Sequence, residues 1–393
     1  MRRSQGYPDG GRYKQAGWCA IALALLGHIT ALHAQIAVSA NDGKAVPADA
    51  PDTPRTTDSI VVLDIGRTVR SLATLAVPAT VVGPPGSVAL SSDSQLAIVT
   101  AGQVMGGGGA PVPGDVVTVI DLSHPHAPRI VQTLHAGTGA AGVAINPAGT
   151  LALVANTGAD SISVFTITGG RLTPAGTVAL DAKSRPVDIA FEDPHTADVV
   201  AQGTNKLVRL VVTGTQVSRG VGEIAVGAAP YSLALDPRTH MAYVSHLGGR
   251  AGGGPPGPKP GSVGIVDLAA GRMVDQIDTG VTPEHVGLSP SGRFLEVTVN
   301  NGSTTPASSP AFHDHGMMTI YRIEGAHLVP AAETRTGRWC QGAVWSADER
   351  QLLLQCSLAK QIEIYRFDGR TLMPGTPITF DARPGAIATA HSR

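Results

Sequence analysis

Aromatic residues, cysteines and charge are all scarce in this sequence. Three Trp, six Tyr and six Phe among 393 residues leave little material for aromatic cages or base-stacking platforms. Charged residues make up 15% of the chain, the formal net charge is −1, and no basic cluster occurs. That excludes the electrostatic footprint of a nucleic-acid binder. No Cys-x-x-Cys-His is present, which excludes a covalently attached c-type haem. Helical periodicity is nearly absent, and the glycine-rich runs lack the strand-to-helix setting of a phosphate cradle.

Basic residues do stand at the N-terminus, where Arg2, Arg3, Arg12 and Lys14 precede the apolar run Trp18–Leu26. The run is too short to span a bilayer comfortably. Ala-Leu-His-Ala at 31–34 then reads as a small-residue cleavage site, so residues 1–34 are expected to be a signal peptide. The mature chain would then be periplasmic or secreted, with no membrane span and a net charge of −4. Residues 35–57, rich in Ala, Pro, Asp and Thr, read as a flexible linker, which leaves 58–393 as the folded part.

A repeat organises that part. Segments such as "PPGSVALSSDSQLAIVT", "GAAGVAINPAGTLALVANTG", "APYSLALDPRTHMAYVSHLG" and "TPEHVGLSPSGRFLEVTVNNG" align on Ala89, Ala144, Ala190, Ala234, Gly287, Val344 and Ala388. The anchors are spaced 55, 46, 44, 53, 57 and 44 residues apart. Proline stands four positions before the anchor in five of the seven copies, at 85, 186, 230, 283 and 384. Each copy reads as strand, tight turn, strand, followed by two further strands, which is one propeller blade. The last copy stops after one strand, and residues 58–77 supply outer strands with no inner strand before them. The expected fold is therefore all-β: a seven-bladed β-propeller whose ring is closed by N-terminal strands completing the C-terminal blade. Such a ring needs no second chain, so a monomer is expected.

"LALVANTGADSISVFTI" (151–167) and "AYVSHLGG" (242–249) resemble the YVTN-repeat propellers, which are related to lactonase-like propellers of the 6-phosphogluconolactonase type. "PEHVGLSPSGRFLEVTVNN" (283–301) resembles a segment of the lactonase family, with His285, Pro290, Gly292 and Asn300 in place. It departs from the family where Glu284 replaces an arginine and Asn301 replaces a glutamate. The resemblance implies His285 as the candidate catalytic residue of a lactone hydrolase.

Three insertions, at 102–114, 248–261 and 301–316, fall in the loop between second and third strands. In a propeller that loop shares one face, here the top, with the crossover between blades. Long loops gathered on one face mark a working face. The leading expectation is thus a binding or scaffold module that presents Asn156, His246, Glu284, Asn300 and Asn301 to a protein or small-molecule ligand. Lactone hydrolysis is the alternative.

His246, His285, His313 and His315 should lie near the top on adjacent blades. Together with Asp314 or Glu284 they form a donor set suited to zinc or copper. His124, His126, His195 and His240 read as turn residues of the opposite face. Cys340 and Cys356 lie four before and twelve after their anchor, so they should face each other across one hairpin. In an oxidising compartment they should form a disulfide.

Overall fold

The computed structural model describes residues 35–46, 52–248 and 260–390. The expected signal peptide and most of the 248–261 insertion lie outside the described residues. The described residues form seven antiparallel sheets and no helix, a seven-bladed β-propeller. Blades 1 to 6 each run outward in chain order from an inner strand: Val88–Leu90, Ala140–Ile145, Pro186–Asp193, Pro230–Asp236, Pro283–Leu288 and Cys340–Trp345. The outer strand of blade 6 is split into Leu372–Pro374 and Ile378–Thr379.

Blade 7 closes the ring. Its inner strand is the C-terminal Arg383–Thr389, and its outer three are Gln35–Asp42, Ser59–Ile65 and Val69–Ala76. Val38 stands opposite both Ala388 and Val62. Strand 35–42 corrects the expectation of a linker over 35–57. "QIAVSAND" carries small residues that look featureless in sequence, yet all but its first residue are buried between the inner strand and Ser59–Ile65.

The turns joining first and second strands follow from local chemistry. Asn146 Oδ1 accepts from the amides of Thr150 and Leu151 at 2.8 and 2.9 Å. Gly149 and Gly292 close their turns at φ 66°, where a side chain would be strained. Apolar residues fill the seams between blades rather than one central core. One seam packs Leu153, Ile162 and Val164 of blade 2 on Ile189, Val199 and Leu210 of blade 3. Each sheet is covered on both faces, which is why its strands are apolar on both sides; each methylene so buried stabilises by about 0.8 kcal/mol. Among the described residues no helix is long and apolar enough to cross a membrane.

Two of the insertions, 102–114 and 301–316, are held by hydrogen bonds despite their glycine content. Residues 102–114 extend a hairpin, Leu96–Met105 with Pro111–Asp121, closed by Gly106 donating to the Ala110 carbonyl at 2.9 Å. The 301–316 segment folds onto the next crossover, where the Trp339 amide donates to Ser303 Oγ at 3.0 Å.

Candidate functional site

The inner strands surround the ring axis, and their third residues before the anchor include Tyr231, Glu284 and Gln341 at the top. The top mouth is not open. Segment 77–86, which joins blade 7 to blade 1, lies across it. Asp58 Oδ2 accepts from the Ala79 amide at 3.1 Å and Asp42 Oδ2 from the Val81 amide at 2.9 Å. Lys44, only 4% exposed, sits 3.0 Å from Asp58 and 3.2 Å from Asp42 and donates to the Ala79 carbonyl. Gln341 of blade 6 donates to the Val81 carbonyl at 2.8 Å. On the far side, the Tyr231 hydroxyl of blade 4 reaches the Gly83 backbone. Gly385 is required here, because a Cβ on it would lie 2.7 Å from Val81 Cα.

The opposite mouth contains two cavities. The larger, about 220 Å³, is walled by the lower ends of inner strands, including Leu90, Ala144, Ile145, Phe191 and Ala388. The smaller, about 20 Å³, is walled by His285, Gly287, Leu288, Trp345 and neighbours. Thr389 is a wall of both, the larger facing blades 1 to 3 and the smaller facing blades 5 and 6. The smaller is large enough for about one water molecule.

His285 is 9% exposed, and its Nδ1 lies 2.7 Å from Oε2 of the fully buried Glu296. Thr298 donates to the other carboxylate oxygen. The carboxylate fixes the imidazole tautomer: Nδ1–H donates, leaving the Nε2 lone pair as the basic position. Gly287 makes room for the pair, since a Cβ there would lie 2.9 Å from His285 Cε1 and 3.1 Å from Glu296 Oε2. The second strand carries Glu296 directly opposite that glycine. Sequence reasoning missed Glu296; its signal was a carboxylate in the middle of an otherwise apolar "FLEVTV" strand, facing a glycine.

The expected ligand-face residues lie mostly beneath the surface. Asn156 is fully buried: its Oδ1 accepts from the Gly137 amide at 3.0 Å, and its Nδ2 donates to Ser161 and Ser163. His246 fills the same slot two blades on, with Nε2 accepting from the Gly227 amide at 3.1 Å and Nδ1 on Ser262 at 3.0 Å. Burial lowers its pKa to about 4 and holds the ring neutral. In blade 6 the corresponding glycine amide, Gly337, is accepted by Glu363 at 3.1 Å. These side chains therefore brace the crossovers and do not face a ligand.

Glu284 is buried beside Asn300, whose Nδ2 donates to it at 2.7 Å, and burial pushes its pKa up to about 8. Asn301 sits at φ 52° in the insertion, 3.5 Å from the His315 carbonyl. The proposed metal donors do not converge. His246 and His285 are committed to Gly227 and Glu296, His315 Nδ1 faces Asp314 at 2.7 Å, and the His313 and His315 rings stand 6.1 Å apart. Among the described residues, the one close-set group of His, Cys, Asp or Glu is Cys340, Cys356 and Glu363. Its two cysteines are joined as a disulfide, directly opposite each other across the hairpin. His240, expected as a plain turn residue, ties blade 4 to blade 3 through Glu192 at 2.6 Å.

The ring and its closure define a seven-bladed β-propeller, with a buried His–carboxylate pair beside its lower mouth. No protein-family model matches the chain, and no curated protein matches it in sequence. Solved structures do match. A Bacteroides uniformis protein proposed to be a 6-phosphogluconolactonase superposes with TM-score 0.70 at 16% identity, over 90% of this chain and 99% of its own. The periplasmic gluconolactonase PpgL of Pseudomonas aeruginosa gives 0.68 at 13% identity, over 90% and 98%. A hypothetical selenium-binding protein of Sulfolobus tokodaii gives 0.63 at 12% identity, over 91% and 94%. At these identities the likeness is one of fold, and the fold serves several functions.

Proposed function

We propose that this chain is an exported, monomeric hydrolase of cyclic esters that works at the lower mouth of its ring. The single observation that carries the reading is the His285–Glu296 pair, buried at the wall of a water-sized cavity. In the proposed step, His285 Nε2 takes a proton from water as the water oxygen bonds to the lactone carbonyl carbon. The ring C–O bond then breaks, the proton passes from His285 to the leaving alkoxide, and a hydroxy acid is released. Glu296 stabilises the transient imidazolium, as a buried carboxylate does for a general-base histidine. The Cys340–Cys356 disulfide and the N-terminal pattern support export into an oxidising compartment. Similarity to a gluconolactonase and to a proposed 6-phosphogluconolactonase supports the reaction class. A binding role on the loop-rich face has less support, because Asn156 and His246 are spent on crossovers.

The test is proton release by pH-stat on a panel of γ-, δ- and sugar lactones. His285→Ala is expected to lower kcat/KM by about 10²–10⁴, and Glu296→Gln by less. Equal rates for wild type and His285→Ala would remove the reading.

A further inference from the structure

Asn156, His246 and Cys356 occupy one repeat position in blades 2, 4 and 6, each beside a crossover glycine, Gly137, Gly227 or Gly337. Asn156 and His246 accept the glycine amide themselves. Cys356 is bonded to Cys340, and in its blade the third strand supplies the acceptor, Glu363. A carboxylate is thereby set against two sulfurs. One ligand atom from each of Cys340, Cys356 and Glu363 lies within 4.8 Å of the other two. A neutral amide braces the glycine in blade 2, so bracing alone does not call for a charged residue in blade 6.

The surroundings hold this trio as a donor set. Cys340 and Cys356 stand directly opposite each other on neighbouring strands, and both are fully buried. The Glu363 carboxylate accepts from the Gly337 amide at 3.1 Å, from Gln361 Nε2 at 3.0 Å and from the Tyr365 hydroxyl at 2.6 Å. Outer donors of this kind orient a carboxylate ligand and leave it lone pairs for an ion. Gly337 keeps the gap clear, since a Cβ there would lie 2.9 Å from Glu363 Oε1 and 3.4 Å from Cys356 Sγ. Glu363 itself is half-buried, which gives an ion a path from solvent.

We propose that the reduced form of this hairpin is a zinc site. The Cys340 and Cys356 thiolates and the Glu363 carboxylate are its ligands, and water takes the fourth position. Two thiolates, one carboxylate and an open place suit Zn²⁺. Disulfide and ion are alternatives. Two molecules of a small thiol reduce the bridge, giving two cysteine thiols and one small-molecule disulfide, and zinc then displaces the two thiol protons. Exchange with a further disulfide takes the two electrons back, reforms the bridge and releases the ion. The site stands apart from the hydrolase reading.

The purified protein should be reduced with a small thiol, desalted without oxygen, and titrated with Zn²⁺ against a colorimetric chelator and with Co²⁺ by absorption. The reduced chain should bind one zinc more than the oxidised chain, and cobalt should give a thiolate-to-metal charge-transfer band. Cys356→Ser should lose both. Glu363→Gln, which keeps an acceptor for Gly337, should bind at least about tenfold more weakly. Zinc should also raise the unfolding midpoint of the reduced chain and not that of the oxidised one, a readout that survives partial unfolding after reduction. Equal zinc uptake in both redox states, absence of the thiolate band, or unchanged affinity in Glu363→Gln would each overturn the site.

Discussion

The two mouths of the ring are built from the same repeat and finished in opposite ways. At the top, a ten-residue crossover is drawn over the axis and fastened by a buried lysine with two carboxylates, by Gln341 and by Tyr231. At the bottom, the first turns stay short and local, and the inner-strand ends leave two cavities, the smaller of them walled by His285. The longest loops therefore lie on the closed end and the candidate chemistry on the open one. Loop length alone is a poor guide to the working face when a neighbouring segment covers the axis.

Substitutions can break this contrast. The largest effect on stability is expected from Lys44→Met. The buried Asp42 and the half-buried Asp58 would lose their cation and the cap its central tie, costing about 3–5 kcal/mol in denaturant unfolding. A loss below about 1 kcal/mol would mean that the cap is held by packing alone. Next comes the paired Cys340→Ser and Cys356→Ser change at the top of blade 6. The 16-residue separation corresponds to about 3 kcal/mol of loop-closure stabilisation. If unfolding midpoints with and without reductant coincide in the wild-type chain, the bridge contributes nothing.

The smallest effect appears only in acid. His246 stays neutral in the fold down to about pH 4, whereas an unfolded imidazole takes up its proton near 6.5. Between those values the unfolded state binds more protons, so the contribution is full above pH 6.5 and is lost as pH falls towards 4. The loss is on the order of 2–3 kcal/mol. His246→Asn, which reproduces the acceptor that Asn156 provides in blade 2, should flatten that part of the stability profile. An unchanged slope would show that another group is responsible.

Much of this architecture was legible in the sequence because it repeats. The proline four before the anchor, present in five of seven copies, the mostly small anchors and the polar turns after them recur around the chain and define the ring. The Cys340–Cys356 pairing followed from hairpin register alone. What escaped was non-local or unmatched by the repeat. Strand 35–42 pairs with residues more than 340 positions away, and no local pattern distinguishes "QIAVSAND" from a linker. Glu296 was hidden because a buried carboxylate looks like a lapse in an apolar strand until its glycine and histidine neighbours are placed. His246 looked like a metal ligand because its strand end lies near the top face on the blade next to His285, His313 and His315; its occupied slot becomes clear only beside Asn156.

The chemistry is proposed to lie on the turn face of the ring, beside His285. Two exposed positions test this directly, Pro290 at the wall of the His285 cavity and Val82, 52% exposed, on the cap. Lactone kcat/KM should fall at least about tenfold in Pro290→Trp, where the indole covers the cavity, and stay within about twofold of wild type in Val82→Trp. Retained activity in Pro290→Trp together with loss in Val82→Trp would place the site under the cap and contradict the proposal.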